Sequence, residues 1–585
     1  MKKQPLKTKI VGTLGPATQE DSIVEALMEA GLDVIRLNFS HENHEVHLAN
    51  IERVKRVRTK LGKHVPIMLD TRGPEIRLGM FSAGKVSLVT GQTFTLYTEE
   101  IDGDETKAHI NYANLPKDVK IGDRILIDDG LVAMAITEIF DDRLVCQVEN
   151  NGIIGTRKSV NVPNVRLSMP YISEKDKDDI LFGVKNGVDF IATSFTRSAE
   201  DVLEVRKLIG LADEGDVRII AKIENMEGVN NVDEILRVSD GIMVARGDLG
   251  VEIPFEKVPV YQKMLITKAY SSGKRVITAT QMLEGMVKNP RPTRAEAADV
   301  ANAIYDGTSA IMLSGETAAG DYPVEAVKTM VRIAASAEED INYDKRFRNR
   351  ELDTQTDVTN AISHATCTTA LDLQAKAIIT VTQSGRTARM LSKYRPSSPI
   401  ICCSTSEQVC RHLNLSWGVV PLLLQEMDNA DALFEAAIQK GESEGLLEQG
   451  DLVVMTAGLP LGVSGTTNLM KVEVVGNILV TGKGVTLEKS NGCLHVCTEE
   501  NEDSFKDGDI LVATQTDHRL LPLIRRAAGL ILEDDNANGH GAIAGMSLNI
   551  PVIIGATNAT RILKSGISVT MDAERGVVFS KISKN

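Results

Sequence analysis

The sequence predicts an α/β protein: a (β/α)8 TIM barrel with an inserted small β-barrel lid domain, a C-terminal α/β domain and an extra β/β/α domain. Three observations predict it. Eight short apolar runs recur before Glu316, and each is followed by polar or charged residues. Between the third and fourth runs the texture changes to short alternating strands with turn residues. After Tyr343, strand patterns alternate with helical ones, as in an open α/β domain.

The eight runs are Lys9–Gly12, Val34–Leu37, Pro66–Leu69, Phe190–Ala192, Ile219–Ala221, Ile242–Ala245, Val276–Ile277 and Ile311–Leu313. Helical patterns separate most of them. A (β/α)8 barrel builds its active site at the carboxyl ends of its strands, so the residues after each run are the candidates for chemistry. The alternating segment holds Lys85–Val89, Thr93–Tyr97, Arg124–Ile127, Val132–Ile139 and Leu144–Val148, punctuated by Gly91, Gly122 and Asn151-Gly152. Strands at hairpin spacing argue a small β barrel, placed to act as a lid. Pro323–Asp340 reads as a helix, and the charged stretch Tyr343–Asp357 as a linker. Beyond it come the strands Ala377–Val381, Ile400–Cys403, Val419–Leu424, Leu452–Thr456 and Val472–Val475. The last segment holds Ile510–Ala513, a helix over His518–Ala528, Gly529–Leu532, Ala542–Leu548 and Pro551–Gly555. The expected domains are 1–73 with 170–342 (barrel), 74–169 (lid), 343–475 (α/β) and 476–585 (β/β/α).

A chain of 585 residues holds about three or four domains. Its formal charge of −15 argues against nucleic acid as the main partner, since a phosphate backbone demands a basic face. Anionic ligands must then meet local cations or metals. Seven cysteines, an odd number, do not suggest a disulfide framework. The start lacks an apolar signal region and no run approaches a membrane span, so the expectation is a cytoplasmic protein with no membrane partner.

Lys222 and Glu224 stand two apart at the end of the fifth run, so both side chains lie on one face of the strand. A cation and a carboxylate aimed at one point suit a metal-assisted reaction on an anion; a surface ion pair is the other reading of that spacing. Asp248, after Arg246-Gly247 at the next strand end, supplies a second oxygen ligand. Two carboxylates without His or Cys favour Mg2+ or Mn2+ over zinc. Gly247 lets amides approach a ligand closely, and a helical turn starting at Asp248 makes an anion site. The forks of Arg36 and Arg77 match phosphate oxygens. Asn38, Ser40, Asp70 and Thr71 offer oxygens with one formal charge, which suits a monovalent cation, although Asn-x-Ser equally caps a helix. Thr293-x-x-Glu296 matches a capping box that starts a helix over Arg294–Tyr305.

Taken together, Arg36-Leu37-Asn38-Phe39-Ser40-His41, Asp70-Thr71-Arg72-Gly73-Pro74-Glu75-Ile76-Arg77, Lys222-Ile223-Glu224-Asn225, the stretch Met243–Glu252, Thr280-Gln281-Met282-Leu283 and Met312–Ala318 resemble the pyruvate kinase family, over roughly residues 6–475. The resemblance implies glycolytic phosphoryl transfer from phosphoenolpyruvate to ADP, giving pyruvate and ATP. It implies Glu224 and Asp248 as ligands of Mg2+ (or Mn2+), and Lys222 against the transferring group and the forming enolate. It implies Arg36 and Arg77 on phosphate, and Thr280 with amides near Gly247 and Asp248 on the substrate carboxylate. Asn38, Ser40, Asp70 and Thr71 (by its carbonyl) are implied to bind K+, with Glu75 matching the potassium-dependent form of the family. Pro16, Asn38, His41, Arg77 and Lys158 are implied nucleotide contacts. Arg72 stands where many members carry Lys and keeps the charge. Thr280 with Ser314 and Glu316 is read as a water relay that protonates the enolate. A homotetramer is implied by the resemblance alone.

Thr382-Gln383-Ser384-Gly385-Arg386-Thr387 lies between a strand and a helix, a hydroxyl- and glycine-rich cradle for phosphate. In the family the matching loop holds the phosphate of an allosteric effector, and Gly458–Asn468 resembles the loop that closes over it. The last segment resembles the swivelling phosphohistidine domain of phosphoenolpyruvate-using enzymes, through Asn538–Gly545 and Asn549–Gly555. His540 falls at the phosphorylated position, but Asn538 and Gly539 replace the hydroxyl neighbours, so support for a phosphate is expected to be missing. Relay through His540 is the alternative function, and a catalytically silent binding protein a third. Elsewhere, His44 and His47 are expected to face solvent, Cys493, His495 and Cys497 to lack the further ligands zinc needs, and Cys402, Cys403 and Trp417 to serve as packing residues.

Overall fold

The computed structural model describes residues 5–211, 216–349, 357–427, 429–458, 467–476, 478–497 and 504–580. Eight parallel strands close into a barrel: β1 Lys9–Thr13, β2 Val34–Asn38, β3 Ile67–Asp70, β4 Phe190–Thr193, β5 Arg218–Ile223, β6 Gly241–Ala245, β7 Arg275–Ala279 and β8 Ala310–Leu313. Each pairs with its neighbours in the chain, and β1 returns to β8 with Lys9 opposite Ala310.

Alternation along these strands sorts the side chains into two cores. Val11, Val34, Met68, Phe190, Ala192, Ile220, Met243, Ile277 and Met312 fill the interior, with Leu415 packed among them from outside the barrel. Ile10, Ile35, Ile67, Leu69, Ile191, Ile219, Ala221, Ile242, Val244, Val276 and Ile311 pack outward with residues of the surrounding helices. Side chains repeat every second residue, so the next inward positions after the apolar layer are Arg36, Asp70, Ser194, Lys222 and Ser314. The strand pattern thus delivers the polar residues to the carboxyl end.

The helices stop and start on local chemistry. Helix Arg294–Asp306 begins with the expected capping box: Thr293 Oγ1 accepts from the Glu296 amide, and Glu296 accepts from the Thr293 amide. It ends at Gly307, whose φ of 96° is left-handed and cheap only for glycine. Helix Pro323–Asp340 spans the expected residues.

The insertion forms a seven-stranded sheet and a two-stranded one. The five expected strands are present, joined by Ile76–Arg77, Lys107–His109, Gly152–Gly155 and Ser159–Asn161. The edge strands of the larger sheet are linked just beyond their ends by the bridge Leu78↔Ile110, around a core that includes Phe94, Leu96, Ile125 and Met134.

By internal contacts the chain divides into two compact units, Met1–Cys367 with Thr380–Met427 and Ala457–Leu469, and Thr368–Ile379 with Asp428–Thr456 and Met470–Asn585. The α/β strands are Ala377–Val381, Ile400–Ser404, Val419–Leu423, Leu452–Gly458 and Thr467–Val474. In the second unit, Lys489–Val496, Ile510–Ala513, Gly529–Leu532 and Val552–Ile554 pair in parallel, and Ser568–Asp572 runs antiparallel to the first of them.

Three local expectations are corrected. Tyr343–Arg348, expected as linker, is a helix capped by Asn342, because Tyr343 is buried with its ring 5.4 Å from Trp417. The helix expected over His518–Ala528 shrinks to a 3-10 turn, His518–Leu520, and Leu521–Ile524. Pro522 has no N–H and fits only the first turn, and the chain must leave the helix to enter the strand at Gly529. His47 does not face solvent and His44 does so only in part: His47 is buried and stacks on Phe39 at 3.8 Å, and half-buried His44 stacks on Phe182 at 4.1 Å with Nε2 2.7 Å from Asp179. Aromatic faces on both rings outweighed their polarity. Cys402, Cys403 and Trp417 are buried, as expected of packing residues.

Candidate active site

Lys222 stands at the centre of the barrel mouth. Its Nζ lies 2.9 Å from Glu224 Oε1 and 3.1 Å from Asp70 Oδ1, and donates to Ser194 Oγ at 2.8 Å. Ser194 Oγ in turn donates to the Thr71 carbonyl at 2.6 Å. Asp70 also takes Arg36 Nε at 2.6 Å, and Arg36 Nη1 donates to Thr13 Oγ1 at 3.0 Å. The Phe195 amide donates to Glu224 Oε2 at 2.5 Å. All of Asp70, Ser194, Lys222 and Glu224 are buried.

The electrostatics follow from this packing. Burial works against the charged form of Lys222, yet Asp70, Glu224 and Asp248 together outweigh it and hold the ammonium above its usual pKa. Burial raises the Glu224 carboxyl and Asp248 adds to the rise, while Lys222 opposes it, leaving Glu224 above the usual carboxylate range. Burial also opposes the charge on Asp70, but Arg36 and Lys222 keep it below the usual carboxylate range.

A divalent cation fits this donor set. Glu224 Oε1 is buried with the Lys222 ammonium as its partner, and the second carboxylate, Asp248, adds to the repulsion that a cation would offset. Among the described residues no group of three or more His, Cys, Asp or Glu is arranged around a metal position, so water or substrate oxygens must complete the shell. The oxygens proposed for a monovalent ion meet other partners. Asn38 Oδ1 accepts from the Ser40 amide at 3.1 Å, the Thr71 carbonyl takes Ser194, and Asp70 is shared by Arg36 and Lys222.

Asp248 sits in the first turn of helix Arg246–Glu252, which begins two residues before the start expected at Asp248. Thr280 and Gln281 adopt left-handed φ values of 68° and 52° immediately after β7, a costly geometry for these side chains. Arg246 braces it: Nη2 donates to the Thr280 carbonyl at 2.7 Å, and Nη1 is 2.7 Å from Asp299. Thr280 Oγ1 accepts from the Gly247 amide at 2.7 Å and donates to the Ala279 carbonyl.

Glu316 requires a correction. Its two oxygens accept from the Leu283 amide at 3.0 Å and the Ser314 amide at 2.7 Å, and it is 1 % exposed. It therefore positions two loops and is not free to pass a proton; of the expected relay, Thr280 and Ser314 remain.

Beside the mouth, a cleft of ≈ 830 Å³ lies between barrel and insertion, lined among others by Arg77, Lys158, Phe195, Asn225 and Asp248. Arg77 is held by Glu75 at 2.7 Å and by the Arg157 carbonyl at 3.0 Å, and Lys158 by Asp128 at 2.8 Å. Asn161 Nδ2 donates to Glu252 Oε1 at 2.9 Å, joining insertion to barrel. Arg36, Asn38, His41 and Pro16 do not line this cleft. His41 is exposed, and its carbonyl lies 2.9 Å from His47 Nε2. The sequence places Ser194, Phe195 and Arg246 after strand runs but assigns them no role at the site. The signal for Ser194 was present: it continues the inward series Phe190, Ala192.

In the α/β region, the Thr382–Thr387 turn joins strand to helix. Gly385 has a left-handed φ of 72° and its amide donates to Thr382 Oγ1 at 3.1 Å; Thr387 Oγ1 is 2.7 Å from Thr467 Oγ1. Of the loop expected over Gly458–Asn468, residues 459–466 lie outside the described residues. In the second unit, His540 is not without a hydroxyl: Thr516 Oγ1 lies 3.0 Å from its Nδ1, delivered from a different loop where Asn538 and Gly539 offered none. Among the described residues, no helix is long and apolar enough to cross a membrane.

Comparison with known proteins agrees with this geometry. A family model described as pyruvate kinase, barrel domain, matches residues 5–327. The pyruvate kinase alpha/beta domain matches 360–473, and the mobile domain of PEP-utilising enzymes matches 505–576. The pyruvate kinase of Bacillus licheniformis is 48% identical over 577 residues, covering 98% of each chain. That of Sporosarcina psychrophila is 47% identical over 578 residues, covering 98% of this chain and 99% of its own. A solved pyruvate kinase from Cryptosporidium parvum superposes with a TM-score of 0.77 at 41% identity, over 80% of this chain and 96% of that one. With its closed parallel barrel, the buried Lys222–Glu224 pair at the mouth and full-length relatives of one name, the chain belongs to the pyruvate kinase family.

Proposed function

We propose that Lys222, Glu224 and Asp248 carry the phosphoryl transfer from phosphoenolpyruvate to ADP that gives pyruvate and ATP. The observation that carries this reading is the buried ammonium of Lys222, 2.9 Å from Glu224 and 3.1 Å from Asp70 at the barrel mouth. Transfer of a PO3 group needs positioning and charge neutralisation more than a covalent nucleophile. Lys222, kept charged by its acids, neutralises the negative charge that develops on the transferring group and the enolate. The guanidinium forks of Arg36 and Arg77 hold phosphate oxygens. The amides of Gly247 and Asp248, with the Thr280 hydroxyl, receive the substrate carboxylate; Thr280 exchanges its bond from the Gly247 amide for the substrate. Thr280 and Ser314 lead a proton through water to the enolate carbon.

Glu224 and Asp248 would hold the divalent ion, Mg2+ or Mn2+. When bound, that ion supplies Lewis-acid neutralisation of phosphoryl and enolate oxygens. Asn38, Ser40, Asp70 and the Thr71 carbonyl are the reading for K+, supported by Glu75 at the position that marks the potassium-dependent form. Pro16, Asn38, His41, Arg77 and Lys158 are read as nucleotide contacts. The Thr382–Thr387 turn is read as the phosphate cradle of an allosteric effector, and the working assembly as a cytoplasmic homotetramer.

The test is a coupled assay of pyruvate release with K+ or Na+ as counter-ion, with and without chelator. Activity is expected to vanish with chelator, to return with Mg2+ or Mn2+, and to fall strongly in K+-free buffer. Full activity with chelator overturns the roles of Glu224 and Asp248; full activity without K+ overturns the reading of Glu75.

A further inference from the structure

We propose that a small inorganic anion binds at the amino end of the barrel, in a cavity where Lys274 and Arg275 face Arg389 from the α/β region. The cavity is ≈ 10 Å³, room for one water-sized occupant, and its walls include Tyr270, Ser309 and Trp417.

The charges there do not close. Lys274 Nζ donates to the Ser239 carbonyl at 2.6 Å, Arg275 Nη2 to the His412 carbonyl at 2.9 Å, and Arg389 Nη1 to the Ser384 carbonyl at 3.1 Å. None of these acceptors carries a charge. The nearby acids make their direct ion pairs with other cations: Asp240 pairs with Arg206 at 3.0 Å and Arg218 at 3.4 Å, and Asp216 pairs with Arg218; the attraction of Asp240 for Lys274, Arg275 and Arg389 does not offset their burial. Arg275 is 3 % exposed, and its Nε has no hydrogen-bond partner among the described residues. The surroundings answer with strain on the charged state. Burial first, then Arg389, push the Arg275 guanidinium down to about 9; burial and Arg218 push Arg389 down to about 10. Both still carry their charge at neutral pH, so their mutual repulsion persists. Cations gathered in a poorly solvated space are costly unless an opposite charge joins them. Guanidinium N–H groups are suited to an oxyanion, and the size of the cavity admits one phosphate oxygen or one halide.

The place has a consequence. Arg389 holds the Ser384 carbonyl, inside the Thr382–Thr387 turn, and Arg275 begins β7, whose far end leads into Thr280. An anion bridging the two guanidinium groups ties that turn to the strand that presents Thr280, at a position separate from the turn itself.

Trp417 is the only tryptophan of the chain and borders the cavity, so it reports the site directly. The full chain is titrated with sodium phosphate and, separately, sodium chloride, at ionic strength held constant with isethionate, and Trp417 fluorescence and Tm are followed. The expected result is a saturable fluorescence change with a rise in Tm. Lys274 and Arg389 are partly exposed, so Arg389→Gln and Lys274→Gln, and not a change at buried Arg275, carry the comparison. Each is expected to weaken the midpoint about tenfold or more, whereas Thr387→Ala in the neighbouring turn leaves it in place. A response to phosphate alone assigns an oxyanion, and a response to chloride as well assigns a monatomic anion; both support the site. A response that follows only ionic strength, a midpoint unmoved in both Gln variants, or a Thr387→Ala shift as large as theirs overturns it.

Discussion

The two ends of one barrel treat charge in opposite ways. At the carboxyl end, Lys222 has Asp70 and Glu224 within 3.1 Å, with Ser194 as a third acceptor. At the amino end, Lys274 and Arg275 donate to neutral carbonyls, and Asp240 pairs directly with Arg206 and Arg218 instead. The same alternation produces both ends, since Arg275 shares its parity with Ile277 as Lys222 does with Ile220. The difference lies in what the neighbouring strands bring. Compensation within the chain gives a preassembled cationic centre facing a wide cleft, and its absence leaves a narrow cavity that attracts an ion from outside. Leu415 reinforces the contrast, because it packs into the interior core.

The strongest way to break the comparison is to remove the central charge. Lys222→Met is expected to lower kcat about 1000-fold or more while changing the KM for phosphoenolpyruvate far less. Stopped-flow or coupled assays of the purified variant check this, and an unchanged kcat removes Lys222 from the chemistry. A smaller effect sharpens the role of Ser194. Ser194→Ala takes away one acceptor from Lys222 and is expected to lower kcat about 10–100-fold, with partial recovery in Ser194→Thr, which keeps the hydroxyl. Equal losses in both variants would mean that packing and not the hydrogen bond matters.

At the amino end the readout is stability. Asp240 accepts from the Ile219 amide and pairs with Arg218 and Arg206; burial opposes its charge, but these partners hold it down at about 2. A depressed carboxylate contributes stability that is present above its unfolded pKa and is lost as pH falls through the folded value. Asp240→Asn is therefore expected to cost about 2 kcal/mol at pH 7, measured by urea unfolding, and the variant should lose less stability than the parent between pH 4 and pH 2. Parallel acid profiles would contradict the electrostatic account. The smallest expected effect lies in the second unit. His540→Ala should leave ADP phosphorylation unchanged even though Thr516 supports the ring, and a large loss of turnover would revive a relay through His540.

How much of this was legible depended on whether a partner lies close along the chain. The barrel strands, the Thr293–Glu296 cap and helix Pro323–Asp340 follow from patterns within a few residues. The Lys222–Glu224 pair was legible for the same reason. Glu316 was misread because its acceptors' partners include the Leu283 amide, 33 positions away. His44 and His47 were misread because burial against Phe182 and Phe39 is not a property of their own helix pattern. Thr516 reaches His540 from 24 positions away, and no local motif records that approach.

By itself the sequence determined the period of the strands, the residues that end each one and therefore the chemistry carried to the barrel mouth. Tertiary structure alone decided which of those groups meet: that Ser194 turns toward Lys222, that Arg246 pins the left-handed Thr280, and that Arg389 faces Arg275 without an acid between them. The physical reason is range. Backbone alternation and capping act over a few residues, whereas burial and Coulomb forces depend on distances that exist only once the strands have closed the barrel.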